Sequence, residues 1–219
     1  MLERDKLIST QFILAIHSTN NYFGFAYKLI NDSNASNEIY FIKRFDRDLS
    51  NNLIFDLATF LSGKSLKSIS RISISNGPAN FNATRLIVVL ARTLSQQIKC
   101  PLDYYSCYRI MAKRIALKNN LFQNNQHFWI VNNLKNRGYI AGKYMVNSDN
   151  NKNCINTVQE ILKPKLYKTI DNQNKYYEVD YDTKDDLKEL LLLSLENHNQ
   201  SVSNSWEDVL PIYPISPIN

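Results

Sequence analysis

Side chains that could act as nucleophiles or general bases are few in this chain and lie far apart. Its three histidines are His17, His127 and His198, and none belongs to a paired motif such as HExxH. The motif GxSxG is absent as well, and neither Ser75 nor Ser106 has a base at a recognisable spacing. The sequence therefore predicts structural roles for these residues and no nucleophilic triad.

Residues that could bind a metal ion are also poorly grouped. Four aspartates lie between residues 180 and 186, where they open a predicted helix. Carboxylates at that position interact favourably with the helix dipole, so capping is favoured over metal binding. No CxxC pair occurs among the cysteines, so neither a zinc site nor a disulfide framework is indicated. The cysteines are Cys100, Cys107 and Cys154. We expect no metal and no cofactor.

A strand–loop–helix joint at residues 72–98, ISISNGPANFNATRLIVVLARTLSQQI, could bind an anion. Backbone N–H groups between Asn76 and Asn82 would lie at a helix N-terminus, which is a general arrangement for phosphate. The joint lacks the second glycine and the lysine of a GxxxxGK[ST] loop, and the dinucleotide pattern GxGxxG is absent too. It therefore indicates a nucleotide site only weakly.

The excess of positive charge raises the question of a nucleic-acid partner. The net charge is +6 and the pI is about 9.1, but lysine and arginine are scattered along the chain. A protein that stacks RNA bases would interleave basic and aromatic residues on exposed strands. The segments YFGFAYK and KYYEVDY have this composition without an RNP pattern, and core packing explains them more simply. A solvated basic surface is therefore favoured.

The order of predicted elements indicates an α/β protein of two halves. The first half is β-β-β-α-β-α, at 11–18, 22–30, 38–45, 51–63, 69–75 and 83–98. The second half has predicted strands at 101–106, 127–133, 138–147, 166–170 and 176–181, and helices at 107–121, 157–163 and 183–198. We therefore divide the chain into subdomains 1–103 and 104–200, followed by a proline-rich tail at 201–219.

The composition is that of a soluble globular protein, with 44% hydrophobic and 21% charged residues. No apolar run approaches the roughly 18 residues that span a bilayer. The N-terminal residues MLERDKLISTQFILAI do not resemble a signal peptide. We predict a cytoplasmic protein.

Two predicted helices of the first half carry more apolar surface than a helix needs to cover a sheet. The first two turns of the 83–98 helix are apolar around nearly the whole circumference, at about 100° per residue. We predict that both helices contact a partner, with burial of the pair inside the monomer as the alternative. The proposed partner-binding residues are Leu53, Ile54, Leu57, Ala58, Leu61, Leu86, Val89, Leu90, Thr93 and Leu94.

Several segments resemble the TsaB (YeaZ) family, in the same order along the chain. NGPANFNATRLIVVLARTL resembles the family signature GPGSFTGLRIGLATAKGLA, with matches at Gly77, Pro78, Phe81 and Arg85. ILAIHSTNNYFGFAY resembles the first strand, turn and second strand of the family. CPLDYYSCYRIMAKR, IVNNLKNRGYIAGKY and LPIYP are similar to three later family segments.

The resemblance implies an actin-like (sugar kinase/Hsp70/actin, ribonuclease H-like) α/β fold of two subdomains with mixed sheets flanked by helices. It also implies a non-catalytic subunit that binds the TsaD transferase and, through it, a TsaE-like ATPase and tRNA. That assembly forms N6-threonylcarbamoyladenosine beside the anticodon, and the family contacts TsaD through the two helices of the first subdomain. In such a scaffold, Gly77-Pro78 would set the bend before the second helix, and we expect Phe81 to fill the core.

Five positions depart from the family pattern. His17 and Ser18 stand where the family has Asp and Thr, and Asn133 stands where it has Asp. Ala79 and Ala83 replace the second and third glycines of the signature, which removes backbone freedom near a ligand. These changes lead away from nucleotide chemistry and leave the apolar helices intact. They fit a scaffold without a catalytic site, or a diverged paralogue with another partner.

Two alternatives stay open from the sequence. One is an independent enzyme of the actin-like superfamily, either a degenerate ATPase or a glycoprotease-type peptidase. The other is a homodimeric scaffold that uses the same helices across a two-fold axis and has no TsaD partner.

Overall fold

A computed structural model of the protein describes residues 11–30, 37–44, 49–124, 126–147, 157–170 and 175–215. The strands are β1 (Phe12–Ser18), β2 (Tyr22–Leu29), β3 (Glu38–Arg44), β4 (Ile69–Ser75), β5 (Leu102–Tyr105), β6 (His127–Leu134), β7 (Gly138–Asn147), β8 (Thr157–Tyr167) and β9 (Lys175–Glu178). The helices are α1 (Leu49–Phe60), α2 (Phe81–Ile98), α3 (Cys107–Lys118) and α4 (Thr183–Asn199). Over the described ranges, none of these helices is both long enough and apolar enough to cross a membrane.

The central strand of the first sheet is β1, and the strand order is β3-β2-β1-β4-β5. The first three strands are antiparallel neighbours, whereas β4 runs parallel to β1 and β5 runs parallel to β4. Every residue of β1 is buried. A strand covered on both faces must be apolar throughout, rather than alternating with polar residues, which explains the run FILAI.

Helices cover both faces of this sheet, and alternate residues of β1 pack against the helices on one face or the other. Phe12, Leu14 and Ile16 belong to the cluster that contains the buried side chains of α1 and α2. Ile13 and Ala15 pack on the other face against the leucine-rich side of α4. The period of two along the strand therefore separates two cores.

A second sheet, ordered β8-β7-β6-β9, has α3 on one face. Met111 and Ile115 of α3 pack there with Phe128, Ile130 and Tyr144 of the sheet. A smaller cluster on the opposite face consists of strand residues and Ile170, within the described part of the chain.

Most predicted elements are confirmed, but the helix predicted at 157–163 is wrong. This segment begins β8, an eleven-residue strand that also includes the first two residues of the strand predicted at 166–170. Its apolar residues Val158, Ile161 and Leu162 fit one helical turn, but antiparallel pairing with β7 decides the conformation. Pro164 is tolerated because β8 is an edge strand. The helix predicted at 107–121 ends at Lys118.

The division of the chain at residue 103 differs from the structure in two respects. Residue 103 lies inside β5, which belongs to the first sheet. Helix α4, assigned to the 104–200 half, packs across β1, β2 and β4 of that sheet. The tail also returns there, because Val209 is fully buried in the first core and the Ile212 N–H donates to the Asn76 carbonyl at 2.7 Å. The chain therefore leaves the first subdomain for the second sheet and then comes back.

Candidate functional site

The paired helices α1 and α2 carry most of the predicted partner residues, and α2 is well defined at both ends. The Asn80 side chain accepts from the Ala83 N–H at 3.1 Å, which caps the helix start. Lys99 ends the helix in the left-handed conformation, with a φ of 56°. Both ends satisfy backbone groups that the helix would otherwise leave free.

Part of the predicted partner face lies inside the monomer. Leu53, Leu57 and Leu61, which were predicted to bind a partner, are only 3–5% exposed and belong to the first core of the monomer. The leucine stripe of α1 packs on the sheet instead, which is the structural alternative that the periodicity left open. Three leucines of α2 are partly buried against the same core: Leu86, Leu90 and Leu94.

Other predicted residues of this face are exposed. Ile54 is 68% exposed and Val89 is 55% exposed, while Ala58 and Thr93 also face solvent. The Thr93 hydroxyl donates to the Val89 carbonyl at 2.9 Å, so its hydrogen-bond donor is already used within the helix. Phe55, which the periodicity noted but the predicted set omitted, is 70% exposed. Single exposed apolar residues are ordinary, but here three large ones lie on two contacting helices, and we call this surface the α1–α2 face.

The joint between β4 and α2 is packed rather than open. Gly77 has a φ of 100°, and a Cβ there would lie 2.9 Å from the Ile212 carbonyl oxygen. The bond to Pro78 is cis, and the Tyr181 hydroxyl donates to the Pro78 carbonyl at 3.3 Å. The Gly77 carbonyl accepts from the Cys107 N–H at 2.8 Å. The tail and α3 therefore occupy the space beside this glycine.

The other motif positions divide between core and surface. Phe81 is only partly buried and stacks on Tyr213 with ring centroids 4.5 Å apart, so it lies under the tail and does not fill the core. Arg85 is exposed, whereas Ala83 is fully buried against the first core. Ala79 packs at the edge of the second core. Asn133 is exposed near the end of β6, opposite Tyr139.

A buried polar centre brings together three residues that the sequence keeps apart. His17 Nδ1 lies 2.7 Å from Ser75 Oγ, and His17 Nε2 lies 3.3 Å from Asp186 Oδ2. The carboxyl end of β1 supplies the histidine, the end of β4 supplies the serine, and the first turn of α4 supplies the aspartate. Serine, histidine and aspartate in this order resemble a nucleophilic triad. No spacing along the chain predicts this group, because the parallel pairing of β1 and β4 creates it.

Burial and the surrounding contacts oppose catalysis by this centre. Each of its three residues is at most 1% exposed, so no substrate carbonyl can reach Ser75 Oγ in this conformation. The other Asp186 oxygen accepts from Arg114 Nη2 at 2.8 Å, which holds the carboxylate between α3 and α4. Beside it, burial raises the pKa of Cys107 to about 12, so this thiol is inert at neutral pH. The centre therefore consists of buried polar side chains that contact one another where β1, β4 and α4 pack together.

The turn after β1 is where the actin-like pattern would bind phosphate. In this protein, polar groups of the turn hydrogen-bond with one another. The Thr19 N–H donates to the Tyr22 carbonyl at 2.7 Å, and the Tyr22 N–H donates to Thr19 Oγ1 at 3.0 Å. Asn20 and Asn21 point to solvent, and no carboxylate is part of the turn. No group of three or more His, Cys, Asp or Glu side chains in the described ranges is arranged to bind a metal ion.

A cleft of about 270 Å³ lies at the start of α3, between β5 and β8. Its lining includes Ser106, Arg109, Glu160 and Lys163. Ser106 caps α3 and donates to Glu160 Oε1 at 2.5 Å, while the Tyr144 hydroxyl donates to the same oxygen at 3.1 Å. Burial, followed by the Glu160 charge, raises the pKa of Tyr144 well above its usual value. Two hydroxyl groups therefore hold the Glu160 carboxylate beside the start of α3.

Taken together, the strand order and helix placement define an α/β protein with the actin-like fold, built from two mixed sheets flanked by helices. Two solved structures show the same fold over almost the whole chain. One is an uncharacterized protein with similarity to peptidase YeaZ from Pseudomonas aeruginosa, with a TM-score of 0.67, 12% identity, and coverage of 94% of this chain and 100% of that one. The other is YeaZ from Pseudomonas aeruginosa, with a TM-score of 0.60, 14% identity, and coverage of 93% and 99%. No protein-family model and no curated protein matches the sequence.

Proposed function

We propose that this protein is a TsaB-like accessory subunit, which binds a TsaD-like transferase and supports N6-threonylcarbamoyladenosine formation beside the anticodon of tRNA. The observation that carries the proposal is the fold similarity to YeaZ, which extends over at least 93% of both chains despite an identity of 14% or less. The order of the family-like segments along the sequence supports it independently. A TsaE-like ATPase and tRNA would join the assembly through TsaD.

The apolar face of α1 and α2 is the proposed TsaD contact. Its centre consists of Ile54, Phe55 and Val89, with Ala58 and Thr93 beside them. Obligate and permanent interfaces use such apolar centres with few charges. The buried leucines below this face hold the helices rigidly on the sheet, so binding would require little ordering of the backbone.

We propose a non-catalytic role for this subunit. The turn after β1 lacks the carboxylate with which an actin-like ATPase would bind Mg²⁺, and His17 occupies that position inside the polar centre. Ser75 has a histidine partner but almost no exposed surface. Both observations favour a scaffold over the ATPase or peptidase alternative.

The test is to mix the protein with TsaD from the same organism and to measure the mass of the complex by size-exclusion chromatography with light scattering. We expect a stable heteromer with the natural chain. Val89→Glu and Ile54→Glu should each weaken it by at least about 100-fold in Kd, because burying an unpaired carboxylate costs several kcal/mol.

The matched control is Leu117→Glu, since Leu117 is 53% exposed on α3 and lies outside the proposed face. It should leave the heteromer unchanged. Retention of the complex by both α1–α2 variants would show that the face is wrong. A homodimer that ignores TsaD would replace the proposal with the homodimeric scaffold, and ATP or peptide hydrolysis by the isolated chain would replace it with the enzyme.

A further inference from the structure

The outer face of the second sheet, defined here as the side turned away from α3, combines a buried core with open edges. No helix contributes to that core within the described ranges. Its buried residues are Trp129, Val131 and Ala141, and its partly buried residues are Tyr139, Tyr167 and Ile170. Because these three buried residues are at most 5% exposed, a ligand on this side would contact the more exposed side chains around them.

Strand pairing places the aromatic and basic side chains of this outer face in rows. Trp129 is opposite Lys143 on β7 and opposite Tyr176 on β9, and Tyr139 is opposite Tyr167. Paired residues point to the same side of a sheet, so these side chains share the outer face. Tyr176 is 63% exposed, and its ring is the most accessible aromatic surface in the set.

Lysines lie directly beside these rings. Lys143 Nζ lies 5.7 Å from the centre of the Trp129 ring, and Lys165 Nζ lies 5.1 Å from the centre of the Tyr167 ring. Both lysines lack a salt bridge in the described part of the chain, so their charge is available to an external anion.

The second sheet carries more basic than acidic side chains. The described strands β6 to β9 and their adjoining residues carry Lys135, Arg137, Lys143, Lys163, Lys165, Lys168 and Lys175. They carry two carboxylates, and Glu160 is held on the inner side by Ser106 and Tyr144. Glu178, opposite Val131, is the carboxylate of the outer face within the described residues. Lys163 lines the cleft at the start of α3, and Lys175 is paired with Phe128 of the inner side. On the outer face, Lys143 and Lys165 outnumber Glu178, which suits an anionic ligand.

We propose that the outer face of the second sheet binds single-stranded RNA. Bases would stack on Tyr176 and on the edges of the Tyr139 and Tyr167 rings, while Lys143 and Lys165 would pair with phosphates. Exposed bases stack readily on aromatic side chains of an open four-stranded sheet, and lysines beside the rings neutralise the backbone. An acidic protein would be attracted by the same lysines, but it would not require the flat exposed ring of Tyr176. The inference does not rest on the proposed function.

The experiment measures fluorescence anisotropy of a labelled oligouridine of about 12 nucleotides, a length within the usual range of single-strand sites. Tyr176→Ala should raise Kd by about 10-fold, as expected for the loss of one stacked base. In the double variant Lys143→Glu with Lys165→Glu, the slope of log K against log salt should fall by about 1.4, because two phosphate contacts are lost.

Matched controls separate this face from general charge and folding effects. Lys67→Glu with Lys188→Glu makes the same charge change at exposed sites outside the second sheet, and it should affect RNA binding much less. Phe55→Ala removes an aromatic ring that is 70% exposed on α1, and it should leave RNA binding unchanged. Thermal melts followed by circular dichroism check that each variant folds.

The proposal is overturned if oligouridine does not bind at low salt, or if the control pair weakens binding as much as the Lys143/Lys165 pair. Equal binding of duplex RNA would overturn the stacking, and equal binding of the matching deoxy-oligomer would overturn the assignment to RNA. Tyr176→Ala should still form the heteromer with TsaD. RNA binding and TsaD binding can therefore fail separately.

Discussion

The carboxylate of Asp103 provides a strong test of how α4 is joined to the first sheet. It accepts hydrogen bonds from Arg71 Nη1 at 2.8 Å, Ser194 Oγ at 2.6 Å, Asn197 Nδ2 at 2.9 Å and Asn204 Nδ2 at 2.7 Å. Asp103 is fully buried and Arg71 is 3% exposed. Four segments of the chain, namely β4, β5, α4 and the residues after α4, meet at this one side chain.

Asp103→Ala should lower the free energy of unfolding by about 4 kcal/mol, because it leaves the Arg71 guanidinium buried without a counter-ion. The buried Ser194 hydroxyl also loses its acceptor, and this group alone is worth about 1–3 kcal/mol. For a chain of this size, about 4 kcal/mol corresponds to a fall in Tm of about 12 °C. Asp103→Asn removes the charge but keeps an acceptor oxygen, so it should cost less.

Urea unfolding followed by circular dichroism measures the change, with a constant m-value as evidence that the folded state is unchanged. Arg71→Met combined with Asp103→Ala should be more stable than Asp103→Ala alone, because the unpaired cation is gone. If Asp103→Ala does not yield folded protein, the comparison of Asp103→Asn with the natural chain still tests the charge.

A carboxylate with a more exposed partner provides the control. Asp56 is 7% exposed and pairs with Lys43 at 2.9 Å, but the lysine side chain is 43% exposed. Asp56→Ala should therefore cost less than Asp103→Ala, because Lys43 keeps its access to water when its partner is removed. If Asp103→Ala costs as little as Asp56→Ala, or if the double variant shows simple additivity, the buried pair does not hold α4 in place and the argument is wrong.

Three further results are expected. Ser75→Ala should lower the free energy of unfolding by about 1–3 kcal/mol, because His17 Nδ1 loses its buried partner at 2.7 Å; a change below 0.5 kcal/mol, roughly the limit for surface substitutions, would contradict this. Burial raises the pKa of Glu189 above its usual value, against the opposing effect of nearby cations. The folded state then holds the proton more tightly, so stability should fall as the pH rises from the unfolded to the folded pKa, and Glu189→Gln should remove that fall in pH-dependent melts. Burial raises the pKa of Cys100 to about 11 and that of Cys107 to about 12. In a variant with the third cysteine changed to Ser, labelling by a disulfide reagent at pH 8 should be at least about 100-fold slower in the folded than in the unfolded chain. Equal labelling rates would show that these thiols are accessible.

The two proposed binding surfaces lie on different sheets of the molecule. The helices of the α1–α2 face pack on the first sheet, and the proposed RNA site is the outer face of the second sheet. A scaffold that binds a protein through one subdomain and RNA through the other would need no catalytic centre of its own. The separate variants Val89→Glu and Tyr176→Ala allow each surface to be removed alone.

The sequence by itself determined the elements of the first half, because their periodicity is strong and local. The continuous apolar run of β1, the turn residues that follow it and the amphipathic pattern of α2 specify their own conformations. The helix predicted at 157–163 failed for the opposite reason. Its few apolar residues fit two periods, and only pairing with β7 selects the strand.

Tertiary structure alone decided the sites. A leucine stripe predicts that a helix has an apolar face, but it cannot say whether that face meets a partner or its own sheet. The fold buries Leu53, Leu57 and Leu61 and leaves Ile54 and Phe55 outside. Similarly, the return of α4 to the first sheet places Asp186 beside His17, although most of the chain separates the two residues in sequence. Local patterns specify elements because the interactions are between near neighbours, whereas sites depend on which distant elements come to pack together.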